Sequence, residues 1–132
     1  MTKHTDYAVR LLLLLANRNP ELVTIQEVAR TYDISKNHLM KVAHRLVQEN
    51  YVKSVRGRNG GLLLSRPPEQ INIGELVRAT EPTSVLIEGF QVETDGGVIT
   101  PAGFNHVLGE SLTAFMNVLD TYTLKDLMAQ KK

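Results

Sequence analysis

The chain has no cysteine, which removes disulfides, a thiol nucleophile and every zinc or iron-sulfur site built on thiolates. It also lacks a long apolar run. The longest, Leu11 to Ala16, falls far short of the roughly 20 residues needed to cross a bilayer. Met1 to Asp6 has none of the build of a secretory signal, so a cytoplasmic location is the expectation. Paired carboxylates, a glycine-rich loop opening a helix and a serine, histidine and acid set are missing at recognisable spacing, and an enzyme is not expected. Aromatic residues make up only 5% of the chain. The basic segment described below contains just Tyr51, which argues against a base-stacking platform for RNA.

The 132 residues suit one small domain, or a DNA-binding unit of about 80 residues with an appendage. With 42% hydrophobic and 22% charged residues the composition is that of a chain that folds. Its net charge of +1 hides a strong segregation. Residues 1–35 balance to zero. In residues 36–66, Lys36, Lys41, Arg45, Lys53, Arg56, Arg58 and Arg66 face a single acid, Glu49, a net of plus six before His38 and His44 are considered. From residue 67 onward the acids outnumber the bases by five. A basic island in the middle of the chain is the electrostatic footprint of a phosphate-backbone partner; a solvated charged face is the other reading.

Thr5 reads as the N-cap of a first helix through Leu11–Leu15 and Ala16, ended by Asn17 to Pro20. Thr24 and Glu27 have the spacing of a capping box for a short helix from Ile25 to about Tyr32, with Ile25, Val28 and Ala29 inward. After a turn at Asp33, Ile34 and Ser35, with Ser35 as cap, Leu39, Val42, Ala43, Leu46 and Val47 form the apolar stripe of a third helix. Its other face carries Asn37, His38, Lys41, Arg45 and Gln48, donor-rich side chains suited to phosphates and base edges. This is the layout of a helix-turn-helix. Tyr51 to Arg56 alternates as a strand, and Leu62 to Leu64 begins a second after Gly57, Arg58, Asn59, Gly60 and Gly61. The result is a wing with a cationic tip.

Pro67 and Pro68 break the chain. Asn72 with Glu75 caps a helix from Ile73 to Thr80, residues 83–100 read as a loop, and Pro101 opens a long helix with Phe104, Val107, Leu108, Leu112, Phe115, Val118, Leu119 and Tyr122 on one stripe. Thr123 to Gln130 is a further helical segment. The expected architecture is mostly α with a small β-hairpin wing: a winged helix-turn-helix domain over residues 1–80, then a loop and dimerisation helix over residues 81–132. A palindromic site asks for a two-fold dimer; packing of the long helix on its own domain is the alternative.

Several strings, in this order, resemble the Rrf2 superfamily of bacterial winged-helix repressors and, within it, the NsrR-like branch related to IscR. They are Thr5-Asp6-Tyr7-Ala8-Val9-Arg10, Ser35-Lys36-Asn37-His38-Leu39-Met40-Lys41-Val42, Gly57-Arg58-Asn59-Gly60-Gly61-Leu62, Ile73-Gly74-Glu75-Leu76-Val77-Arg78, Glu81-Pro82, Ile99-Thr100-Pro101-Ala102 and Tyr122-Thr123-Leu124-Lys125-Asp126-Leu127. The resemblance implies a homodimeric transcriptional repressor on double-stranded DNA. Cluster-sensing relatives hold iron and sulfur with three cysteines before the long helix. Here two of those positions fall on Gly97 and Gly103, and the third near Glu88 to Val92. The resemblance also places Asp6 and His106 at non-thiolate ligand positions. Asp6 is equally a first-turn acid favoured by the helix dipole, and His106 an ordinary helix residue. No cofactor and no metal is expected.

The DNA-contacting set expected from these readings is Ser35, Lys36, Asn37, His38, Lys41 and Arg45 on the helix, and Arg56, Arg58, Asn59 and Gly60 on the wing. Asn37 and His38 are the base readers, with Lys36, Lys41 and Arg45 gripping phosphate. The alternative is a protein-interaction module, or a metal or small-molecule sensor, centred on the loop between Ser84 and Gly103 with Glu88, Glu93, Asp95 and His106 as donors. Protein purified anaerobically should be colourless and free of stoichiometric iron by elemental assay; a brown, iron-loaded preparation would overturn the reading of the missing cysteines.

Overall fold

The computed structural model describes residues 2–81 and 102–128. The loop expected over residues 83–100, with Glu88, Glu93, Asp95 and Gly97, and the helix-opening role of Pro101 lie outside the described residues. Helix α1 (Lys3–Arg18) is the centre. Ala8, Leu11, Leu12, Leu14, Leu15 and Ala16 are all buried. The unbroken apolar run Leu11 to Ala16 goes more than once round the helix and must be covered on several sides, and α1 is packed by α3 of the helix-turn-helix, the wing, and the two helices that end each half of the chain.

The helix-turn-helix forms as its capping signals dictate. In α2 (Ile25–Tyr32) the Thr24 side chain accepts from the Glu27 N–H while Glu27 reaches back to the Thr24 N–H, the reciprocal box that the spacing predicted. Asp33 takes a left-handed conformation, φ 54°, and Ile34 N–H bonds the Ala29 carbonyl, so the turn closes with Ile34 against the core. Ser35 caps α3 (Lys36–Gln48), whose Leu39, Val42, Ala43 and Leu46 are buried. Asn50, at φ 66°, ends α3. The bonds Asn50 N–H to Val47 O and Tyr51 N–H to Leu46 O make a Schellman closure that turns the chain into the wing.

The wing is the antiparallel pair β1 (Val52–Val55) and β2 (Gly61–Leu64), slightly shorter than the alternation from Tyr51 to Arg56 predicted. Val23, just before α2, exchanges backbone bonds with Leu62 and so clips β2 to the helix-turn-helix. At the tip Gly57 has φ +116°, and a Cβ at Gly60 would collide with the Val55 carbonyl oxygen. These glycines are required by the turn itself.

After a 3-10 turn (Pro68–Gln70), Asn72 caps α4 (Ile73–Thr80). The long helix α5 (Ala102–Leu119) crosses α4 near its own C-terminal end, where Met116 is buried against Ile73 and Val77, with Leu112, Phe115 and Leu119 partly covered. The expected single stripe is thereby split. Phe104, Val107, Val118 and Tyr122 remain exposed, and Met116, absent from that stripe, is the buried contact, because among the described residues α5 packs on α4 only near its C-terminal end. Arg78 holds Asp120 through two bonds of 2.8 and 2.9 Å. Helix α6 (Leu124–Met128) then returns to α1, and Leu124 is fully buried in the main core.

One expectation fails at the first residue of the fold. The N-cap of α1 is Thr2, whose side chain accepts from the Thr5 N–H, and Thr5 is buried inside the helix. Glu81 is the cause. Its buried carboxylate accepts from the Thr2 N–H at 2.9 Å, from the Thr2 hydroxyl at 2.6 Å and from the Thr5 hydroxyl. The Thr5 and Thr80 hydroxyls lie 2.9 Å apart beside it. The start of α1 is thus tied to the end of α4.

Burial alone would raise the Glu81 carboxyl, but the bonds from Thr2 and Thr5 outweigh it and hold it below the ordinary value. A carboxyl that is a stronger acid when folded stabilises above its unfolded value of about 4.3 and loses that contribution as pH falls through the folded value. Glu81→Gln should cost about 1–3 kcal/mol at neutral pH in urea melts, and should flatten the loss of stability that the wild type shows on acidification below about pH 4.3. Gly60→Ala should expose the wing tip to faster trypsin cleavage at Arg56 and Arg58 with little change in the melting temperature, since the tip lies outside the main core.

Candidate nucleic-acid interface

Opposite the buried stripe of α3, helical spacing lines up Asn37, Lys41, His44 and Gln48, and all four are exposed. Lys36 and Met40 stand beside them on one flank and are exposed as well. Ser35 is exposed at the helix start, its hydroxyl oxygen accepting from the His38 N–H at 3.4 Å.

The other flank makes contacts within the fold, although Arg45 on it is exposed. His38 is half-buried, its ring edge-on to Tyr7 of α1 with centroids 4.7 Å apart. Arg45 donates from Nε to the Ala79 carbonyl at 3.1 Å and lies 3.4 Å from Glu49. A small cleft lined by Thr2, His4, Arg45 and Ala79 to Glu81 opens there. His4 is held below the usual imidazole value, first by burial and then by the positive charges of His38 and Arg45, with Glu81 opposing. Asn37 and Lys41 are therefore presented outward, while His38 and Arg45 have contacts within the fold.

On the wing, Lys53, Arg56, Arg58 and Asn59 are exposed and Gly60 is half-buried at the turn. The seven cations of the basic island divide by role. Arg66 stacks over Tyr51 at 4.1 Å, donates to the Glu49 and Asn50 carbonyls at the end of α3 and lies 3.4 Å from Glu75. It is a structural cap for α3. Lys36, Lys41, Lys53, Arg56 and Arg58 make no ion pair among the described residues. These five exposed cations are carried by two elements in contact, α3 and the wing strand β1 with its turn, in a protein whose net charge is only +1.

Met40 and His44 are the members of the outward face that sequence reasoning passed over. The signal was available, because His44 stands three residues after Lys41 and four before Gln48, which puts it on the same polar side of the helix.

An iron-sulfur centre does not fit this donor set. The chain supplies no thiolate, Asp6 is paired with Arg10 at 3.1 Å one helical turn away, and no three histidine, aspartate or glutamate side chains converge among the described residues. His106 is exposed on α5, lining a shallow depression with Gly109, Glu110, Thr113, Ala114 and Asn117. No helix among the described residues is long and apolar enough to cross a membrane.

Residues 1–130 match the family described as Rrf2: Iron-dependent Transcriptional regulator. The HTH-type transcriptional regulator NsrR of Bacillus subtilis (strain 168) is 50% identical over 134 residues, spanning 100% of this chain and 92% of that protein. The protein of the same name from Bacillus licheniformis is 48% identical over 97% of this chain and 91% of its own. Among solved structures, CymR, the global cysteine regulator of B. subtilis, superposes with a TM-score of 0.79 at 25% identity, covering 100% of this chain and 98% of that one. The fold is likewise shared with T. potens IscR, TM-score 0.80 at 24% identity, over 100% of this chain and 88% of that one. With a winged helix-turn-helix architecture and a family match along nearly its whole length, the chain belongs to the Rrf2 family, whose members are transcriptional regulators rather than enzymes.

Proposed function

We propose that the protein is a sequence-specific, homodimeric repressor that acts in the cytoplasm on a palindromic operator without a thiolate-held cluster. The observation that carries this reading is the set of five exposed cations, Lys36, Lys41, Lys53, Arg56 and Arg58, spread over α3 and the wing. Helix α3 lies in the major groove with Ser35, Lys36, Asn37 and Lys41 toward the DNA, and the wing places Arg56, Arg58, Asn59 and Gly60 at the neighbouring minor groove or backbone. Asn37 reads a base edge, and Lys36 and Lys41 hold phosphates. His38 and Arg45 sit on the flank nearest α1 and α4, so they contact the backbone at the edge of the footprint while fixing the orientation of α3.

The dimer forms through α5, whose Phe104, Val107 and Val118 are exposed in the single chain, and a two-fold axis brings two copies of α3 to successive turns of the duplex.

These roles separate in a gel-shift titration over several salt concentrations, with an operator recovered from genomic fragments retained by the protein. Lys41→Ala should weaken binding to all DNA and lower the salt slope by about one unit. Asn37→Ala should keep the slope and lose preference for the operator, worth about 1–3 kcal/mol. Sedimentation should give a particle of twice the 14.7 kDa chain. A 14.7 kDa species that ignores nucleic acid at low ionic strength sinks the reading; unchanged operator binding by both variants sinks the assignment of α3.

A further inference from the structure

Met40 breaks the pattern of α3. Its side chain is 53% exposed, whereas Leu39, Val42, Ala43 and Leu46 of the same helix are buried and Val47 is partly buried against the core. Single exposed apolar residues are ordinary on a protein surface, so exposure alone assigns no role. Its place does. Helical spacing sets Met40 within one turn of Lys36, Asn37 and His44, all exposed, and α3 itself carries no acid, the nearest being its C-cap Glu49, already beside Arg45. A large apolar side chain in a cationic, donor-rich face does not suit an acidic protein partner, which would leave it facing carboxylates. It suits a surface that is polyanionic outside and carries one apolar group within.

The DNA major groove is such a surface. Its edges are hydrogen-bonding groups except for the C5 methyl of thymine. Methionine is unbranched, polarisable and free about three bonds, so it can cover a methyl without the fixed geometry that a bidentate contact demands. Against the N4 amine of cytosine the same side chain would shut water from a donor and offer no acceptor in return.

We propose that Met40 is a specificity-determining residue that covers a thymine methyl in each half-site, beside the base read by Asn37. It selects a T·A pair and adds little to the general hold on phosphate. This rests on the placement of α3 in the major groove proposed above.

The probe is a duplex pool of roughly 30 random base pairs, long enough for two half-sites a helical turn apart, enriched on the full-length wild-type protein. An enriched duplex is then resynthesised with each thymine in turn replaced by deoxyuridine, which removes only the methyl. The wild type should lose about fourfold in affinity at one thymine of each half-site, the worth of one buried methyl-sized group. Met40→Ala should bind the thymine and deoxyuridine duplexes equally at that position while keeping the wild-type salt slope. Circular dichroism melts confirm that this exposed site leaves the fold intact. Enrichment of a sequence in which no thymine methyl matters overturns the role of Met40 and leaves the groove placement standing, as does equal discrimination by wild type and Met40→Ala. A pool with no enriched sequence overturns both.

Discussion

Burial of α1 from several directions is the constraint on which the structure depends. Leu11, Leu12, Leu14 and Leu15 point to more than one side of a single helix, and no one neighbouring element can cover them. The helix-turn-helix takes one side, β2 another, and α4 and α6 the rest. The return of α6, with Leu124 fully buried in the same core, follows from this demand. It also ties the C-terminal end of α5 to the main core.

Charge is divided between holding the fold and facing outward. Arg18 pairs with Glu27, Arg66 closes the end of α3 and the base of the wing, and Arg78 fastens α4 to Asp120. Exposed pairs of this kind add little stability; their effect is positional, since each joins two elements whose relative placement sets the angle of α3 or α5. Glu81 does the same work from a buried site, with Thr2 and Thr5 as donors. Around α3 the result is a sorted surface: His38 packs on Tyr7 and Arg45, though exposed, is bonded to the Ala79 carbonyl, while Lys36 and Lys41 are exposed without an ion pair among the described residues.

Local chemistry was the part most legible in advance. The Thr24 and Glu27 box, the Ser35 cap, the Asn72 cap and the glycine turn of the wing are each decided within four or five residues, where side chain and backbone meet whatever the rest of the chain does. The cap of α1 was misread because Thr2 and Thr5 are equally good caps by type, and the choice is made by a carboxylate distant in sequence, Glu81. The stripe on α5 was misread for a related reason. Periodicity marks which residues are apolar on one side, and α4 covers only those within its reach, Met116 above all.

By itself, the order of residues determined the helix-turn-helix, the wing, the absence of thiolate ligands and the segregation of positive charge into residues 36–66, because composition, capping and period are properties of short stretches. Tertiary structure alone decided which of those charges are free. Arg66 and Lys41 are alike as cations in a sequence, and only the approach of Tyr51 and the α3 carbonyls to the first, and of nothing described to the second, separates a helix cap from a free charge. The same holds for His38 and Asn37: adjacent in the chain, they are parted by the hundred-degree step of a helix that sends one ring against Tyr7 and the other side chain into solvent.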